Sequence, residues 1–268
     1  MPTTRTTLLL LSILVLFTSL FVPDVAEARS KNLSGKTFTG ENPLGVNRGE
    51  FRFAQEGMEL IYQRQYLEAL QLFEVAGVEF PDSAIGPLGR SLVYQSMMVE
   101  NYDYSWDAPY RSEYAEAKER LRMGKRSGRD KSWLYFMYAV HLGVDAMYDV
   151  RQSDYVPALN KAWDAIEYIK KLHRREPDFH DAKLALGLYN YWRTAITEQV
   201  PYLPRFGEHR EEGLRQMLEA RKQGFLCSAP ASMALTYSYI ESKKWKEATA
   251  EAKWAQARFP DNIINQMT

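Results

Sequence analysis

The chain is predicted to be all-α, a solenoid of about five antiparallel helix pairs with irregular insertions. Three observations predict this. Ala, Leu, Glu, Lys, Arg and Met recur at spacings of three and four through most of the chain after residue 50, and strand-like alternation is hard to find. The stretch Tyr66 to Asp82, YLEALQLFEVAGVEFPD, is echoed without a gap by Trp245 to Asp261, WKEATAEAKWAQARFPD, with the same aromatic start, Glu-Ala pair and Phe-Pro-Asp finish. Within both stretches small residues return at fixed intervals, as close helix crossings require, because two helices approach closely only where one side chain is small.

The elements follow in order. Arg5 and the apolar run Leu8 to Val22, 15 residues long, precede Pro23 and the small-x-small pattern Ala26-Glu27-Ala28. This reads as a secretory signal peptide over 1–28, cleaved near Ala28, and shorter than the about 20 residues of a bilayer span. An uncleaved membrane anchor is the alternative. Residues 29–50, rich in Gly, Asn, Ser and Thr, are expected to form a flexible lead-in, and 51–268 the helical domain. The expected localisation is exported and periplasmic, with possible envelope association and no membrane span in the mature chain.

The first pair carries Gly57, then Ala69, Phe73, Ala76 and Pro81. The last carries Thr236, then Ala248, Ala252, Ala255 and Pro260. Pro stops each second helix. Between them, Ala84–Asn101 pairs with Glu113–Lys125 across the loop YDYSWDAPYRS. Trp133 to Glu176 forms a third unit with Gly143 and Ala158, ending at Pro177. Leu186-Gly187 pairs with Gly213, Met217 and Ala220 across TEQVPYLPRFGEHR. The last helix turns Ala250, Ala257 and charged residues outward and is expected to need no covering helix.

Gly57, Ala69, Phe73, Ala76 and Pro81 occupy the positions of a tetratricopeptide repeat, and the pattern resembles that family over most of residues 51–262. The terminal unit departs from it by placing Ala252 where the aromatic belongs and Thr236 where Gly or Ala belongs. The resemblance implies a curved scaffold that holds a protein or peptide partner in a concave groove lined by first helices, with Met58, Ile61, Tyr148, Tyr191, Met233 and Tyr237 among the groove positions. It implies interaction rather than reaction.

Composition agrees with a folded, exported chain. Lys plus Arg equals Asp plus Glu at 34 each, without the basic excess of a protein built to hold nucleic acid. One cysteine, Cys227, precludes an internal disulfide. His141, His173, His180 and His209 form no HExxH motif, and GxSxG, Walker A and GxGxxG motifs are absent from the sequence. No catalysis, cofactor or metal is expected. His141 reads as a core histidine, and Asp181 beside His180 as a local helix cap. With 17 Tyr and six Trp, aromatic-rich stretches are the strongest candidates for partner contact. The expected partner-binding residues are Trp106, Tyr148, Tyr191, Trp192, Arg193, Tyr202, Arg205 and Tyr237. The alternative is a glycan or small-ligand module that uses the aromatic loops.

Overall fold

The computed structural model describes residues 44, 46–101, 103–128, 130–199 and 207–262. Among them are ten helices and no strand: α1 (Arg48–Tyr62), α2 (Tyr66–Glu79), α3 (Ile85–Asn101), α4 (Asp107–Ser127), α5 (Lys131–Arg151), α6 (Tyr155–Arg175), α7 (Ala182–Gln199), α8 (Arg210–Gln223), α9 (Ser228–Glu241) and α10 (Trp245–Arg258). Neighbouring helices pack in pairs, and each helix also packs on the next. First helices touch across pairs, α1 on α3, α3 on α5 and α7 on α9, while the third and fourth pairs meet through α6 and α7.

The second helices share one register. Their fourth, eighth and eleventh residues are Ala69/Phe73/Ala76, Tyr110/Tyr114/Ala117, Ala158/Ala162/Ala165, Gly213/Met217/Ala220 and Ala248/Ala252/Ala255. Steps of four and three keep these side chains on one face. All are buried except Tyr114, Ala162 and Ala252, which are half-buried. Three turns inside pairs are also alike. Arg64, Ser153 and Lys243 adopt φ of 64°, 64° and 59°. The following N–H of Gln65, Asp154 and Lys244 then returns to the carbonyl of Leu60, Asp149 and Tyr239 at 2.9, 2.8 and 2.7 Å. This left-handed closure satisfies carbonyls left open at a helix end.

The expected second unit needs correction. α4 begins at Asp107, so it absorbs half of the loop placed before Glu113. Pro109 is its third residue, where the missing N–H has no intrahelical partner to lose. The lead-in is also shorter than 29–50: Leu44 and Val46 are buried, and the Asn47 side chain accepts from the Gly49 N–H at 2.8 Å to cap α1. The signal-peptide residues lie outside the described residues.

The interior is filled. Phe51 of α1 packs on Trp133 of α5 at 5.9 Å between ring centroids and on Phe225 at 6.0 Å. Glu50, fully buried, accepts from Trp133 Nε1 at 2.6 Å and from Ser83 Oγ. The first and last pairs meet: Tyr62 packs on Phe259 at 5.3 Å, Arg258 pairs with Glu59, and Asn262 Nδ2 donates to the Tyr62 carbonyl at 3.4 Å. The end of α10 is thus covered by α1 rather than left self-sufficient, although Ala250 and Ala257 do face outward. Ile61, Tyr148, Tyr191 and Met233 are buried, and Met58 and Tyr237 half-buried. The expectation that these six line an open groove is therefore corrected, because adjacent helices already cover them: Tyr110 of α4 stacks on Tyr148, and Ser238 and Glu241 of α9 hold the Tyr191 hydroxyl.

Candidate functional site

Exposed apolar side chains gather on the outward faces of two second helices, Leu67, Val75 and Val78 on α2 and a run that adjoins aromatic and cationic groups on α6. The inward face of α6 buries Ala158, Ala165, Ile169 and Leu172. Helical geometry then turns Val156, Leu159 and Trp163, at i, i+3 and i+7, away from the core. They are 70%, 64% and 56% exposed, with Tyr155 exposed beside them. In the shared register the same positions of α10 hold Lys246, Thr249 and Lys253. Those three positions are polar in α10, although Trp245, at the position of Tyr155, is also exposed.

Trp163 meets Tyr189 of α7 edge-on, at 6.1 Å and 83°. Lys170 Nζ lies 5.9 Å from the Trp163 ring centroid, 5.0 Å from that of Tyr189, and 2.7 Å from Glu167. Arg193 lies 4.9 Å over Tyr189. The result is an apolar line that runs into an aromatic and cationic end, across the joint between the third and fourth pairs.

Beneath it, α6 is tied to α5 and α4 by a polar network. Lys161 bridges Asp145 and Asp149 at 2.6 and 2.5 Å. Burial disfavours its charge, but the hydrogen bonds and charges of the two carboxylates prevail and hold the ammonium above the usual lysine range. Tyr110 OH lies 3.5 Å from Asp145, and its ring stacks on Tyr148 at 4.8 Å. Tyr148 donates to Asp107 and accepts from Arg111, which pairs with Asp107 at 2.8 Å. Burial and then the Asp107 hydrogen bond push the Tyr148 phenol up to about 12. Two cations, Lys161 and Arg111, thus face three carboxylates, Asp107, Asp145 and Asp149, and the network ties three helices together behind the exposed line.

His141 of α5 stacks on Tyr114 at 4.0 Å and 8° and is 2% exposed. Burial pushes its imidazole down to about 4, with Asp145 opposing and Lys118 and Lys161 reinforcing the shift. An unfolded histidine titrates near 6.5, so between these values the unfolded chain binds a proton that the folded chain refuses. Stability attributable to His141 is complete above about pH 6.5 and falls by about 3 kcal/mol as pH reaches 4. Urea denaturation at both pH values is expected to show a smaller loss in His141→Phe, which keeps a ring and removes the proton site.

The expected site residues disperse. Arg193 belongs to the α6–α7 surface. Tyr148 lies in the buried network. Tyr191 is fully buried, its hydroxyl 2.6 Å from the Ser238 carbonyl and 2.5 Å from Glu241, and Trp192 is buried edge-on to it at 5.2 Å. Tyr237 is half-buried against two core clusters. Trp106 stacks on Tyr94 at 5.8 Å. Tyr202 and Arg205 lie outside the described residues. Sequence reasoning missed Trp163, Leu159, Val156 and Lys170. The signal was present in their position opposite Ala158, Ala162 and Ala165.

A depression of about 530 Å³ between α3 and α4 is lined by Arg90, Glu113, Glu116 and Arg120 among others. Its charges pair internally, Arg90 with Glu113 at 2.8 Å and Arg120 with Glu116 at 2.7 Å. Among the described residues no three His, Cys, Asp or Glu side chains converge as a metal site, and no helix is long and apolar enough to cross a membrane. The chain matches no protein-family model and no curated protein.

Proposed function

We propose that this chain is an exported, tetratricopeptide-like adaptor that holds a protein or peptide partner, and that the partner contacts the outward face of α6 and the adjoining edge of α7. The shared register of the five second helices and the three equivalent turns support the repeat assignment. One observation carries the binding role: Val156, Leu159 and Trp163 are exposed in line where the equivalent α10 positions are Lys246, Thr249 and Lys253. A contiguous apolar surface beside Arg and Lys marks an interaction site more often than a solvated face. The glycan alternative is less well supported. Trp163 and Tyr189 stand edge-on rather than as a flat platform, with Lys170 at both rings.

Affinity capture from the envelope fraction, run with the native chain and with Trp163→Glu, tests the proposal. The substitution is expected to leave the circular dichroism unchanged and to lower the melting temperature by no more than about 2–4 °C, for the edge contact with Tyr189. Loss of one anchoring aromatic is expected to weaken capture of a specific partner by about 2 kcal/mol, roughly 30-fold. Recovery of the same proteins in the same amounts with both forms would sink the assignment of this face.

A further inference from the structure

We propose that the α6 surface takes one amphipathic helix, laid antiparallel to α6, with apolar residues along a single line and carboxylates in its first turn. The inference rests on the adaptor reading and names the chemistry of the partner. Shape gives the first reason. Val156, Leu159 and Trp163 form a line one side chain wide, and seven residues of helix span about 10 Å. Such a seam accepts the ridge of a single helix, as apolar positions at i, i+3 and i+7 do in helix pairs and groove-bound helices. A membrane plane would need apolar residues spread across several elements.

Charge gives the second reason and the direction. Beyond Trp163 the same side of α6 continues to Lys170, Lys171 and Arg174, and Arg193 of α7 adjoins through Tyr189. The acidic residues interspersed on this side are Asp164 and Glu167, and Glu167 already pairs with Lys170. At the other end of the line stands exposed Asp154. A partner helix therefore meets cations at one end and a carboxylate at the other. The C-terminal end of α6 is the negative pole of its own dipole, which favours the positive N-terminal pole of an antiparallel partner, and carboxylates, themselves stabilised in a first turn, then meet Lys170, Lys171 and Arg174. The remaining turns of that helix then run back along Trp163, Leu159 and Val156.

The test uses the full chain and fluorescent synthetic helical peptides of equal composition, with leucines on one face. One carries glutamates in the first turn, one carries them in the last turn, and a third carries lysines in the first turn. Fluorescence anisotropy is expected to show the first binding roughly tenfold tighter than the third, with the difference shrinking in high salt. The first should also bind more tightly than the second. Trp163→Glu should abolish binding, and the pair Lys171→Gln with Arg174→Gln should remove the preference for glutamates while leaving the circular dichroism unchanged. Equal binding of all three peptides, or none, would overturn the proposal. So would concentration-dependent self-association lost in Trp163→Glu, which would make a second copy the occupant. Trp163-dependent binding to phosphatidylglycerol vesicles would overturn it in favour of a membrane surface. If the peptides fail while envelope capture still depends on Trp163, the helix chemistry falls and the adaptor reading stands; if both fail, both fall.

Discussion

Replacing Phe73 by alanine is expected to lower the stability by about 3–5 kcal/mol, the cost of emptying a buried aromatic site that cannot collapse. The ring is 1% exposed and sits where three helices converge. A Cβ built on Gly57 of α1 or on Gly89 of α3 would lie 2.1 Å from it. The two glycines are therefore the space that the ring occupies, and α1, α2 and α3 depend on the same contact. Phe73→Leu should cost less, and Gly57→Ala alone should also destabilise by overpacking. The double variant Gly57→Ala with Phe73→Leu should cost less than the sum of its parts, because the ring atoms that crowd Gly57 are Cζ and the two Cε, which leucine lacks. Urea denaturation of the four chains checks this, and additive losses would show that the glycine and the ring do not share a site.

Asp181→Ala is expected to be comparably damaging, at about 3–5 kcal/mol, because it strands buried donors. The carboxylate is 2% exposed and accepts from the backbone N–H groups of Phe225, Leu226 and Cys227 at 3.0, 2.6 and 2.7 Å. Those groups lead into α9, whose own N-cap residue, Cys227, makes no side-chain capping bond. A residue at the start of α7 thus pins the turn that leads into a helix of the next pair. Burial raises the Asp181 carboxyl above its ordinary value, and the three N–H bonds oppose that shift without cancelling it. Asp181→Asn keeps an acceptor oxygen and should lose about 1–2 kcal/mol. Hydrogen exchange should accelerate in α9 and α10 first in the alanine variant. Uniform acceleration across all helices would contradict a local role.

How much of this was legible depended on whether the determining contact was local. The first and last pairs could be read because Ala69, Ala76, Ala248 and Ala255 repeat at fixed spacing and Pro81 and Pro260 follow them. The second pair was obscured because Tyr110 fills a position that the other second helices leave to Ala or Gly. Asp181 was read as capping its own helix, since only the fold brings Phe225 to it. The buried state of Tyr148 and Tyr191 was equally hidden, because it depends on long-range packing that no periodicity encodes. Trp163 is the instructive miss. Its outward direction follows from the inward alanines of α6, whereas the aromatic-rich stretches are denser in Tyr and Trp, and one of their residues, Trp106, stacks on Tyr94.

The central structural claim is that the first and last helix pairs are in contact, through Tyr62 and Phe259, and that the first helices are packed rather than open. A double-mutant cycle on Tyr62 and Phe259 tests it most directly. Both rings are buried, and they lie 5.3 Å apart. Chemical denaturation of Tyr62→Ala, Phe259→Ala and the double variant is predicted to give a coupling energy of about 0.5–1.5 kcal/mol. Losses that simply add would mean that the ends do not meet.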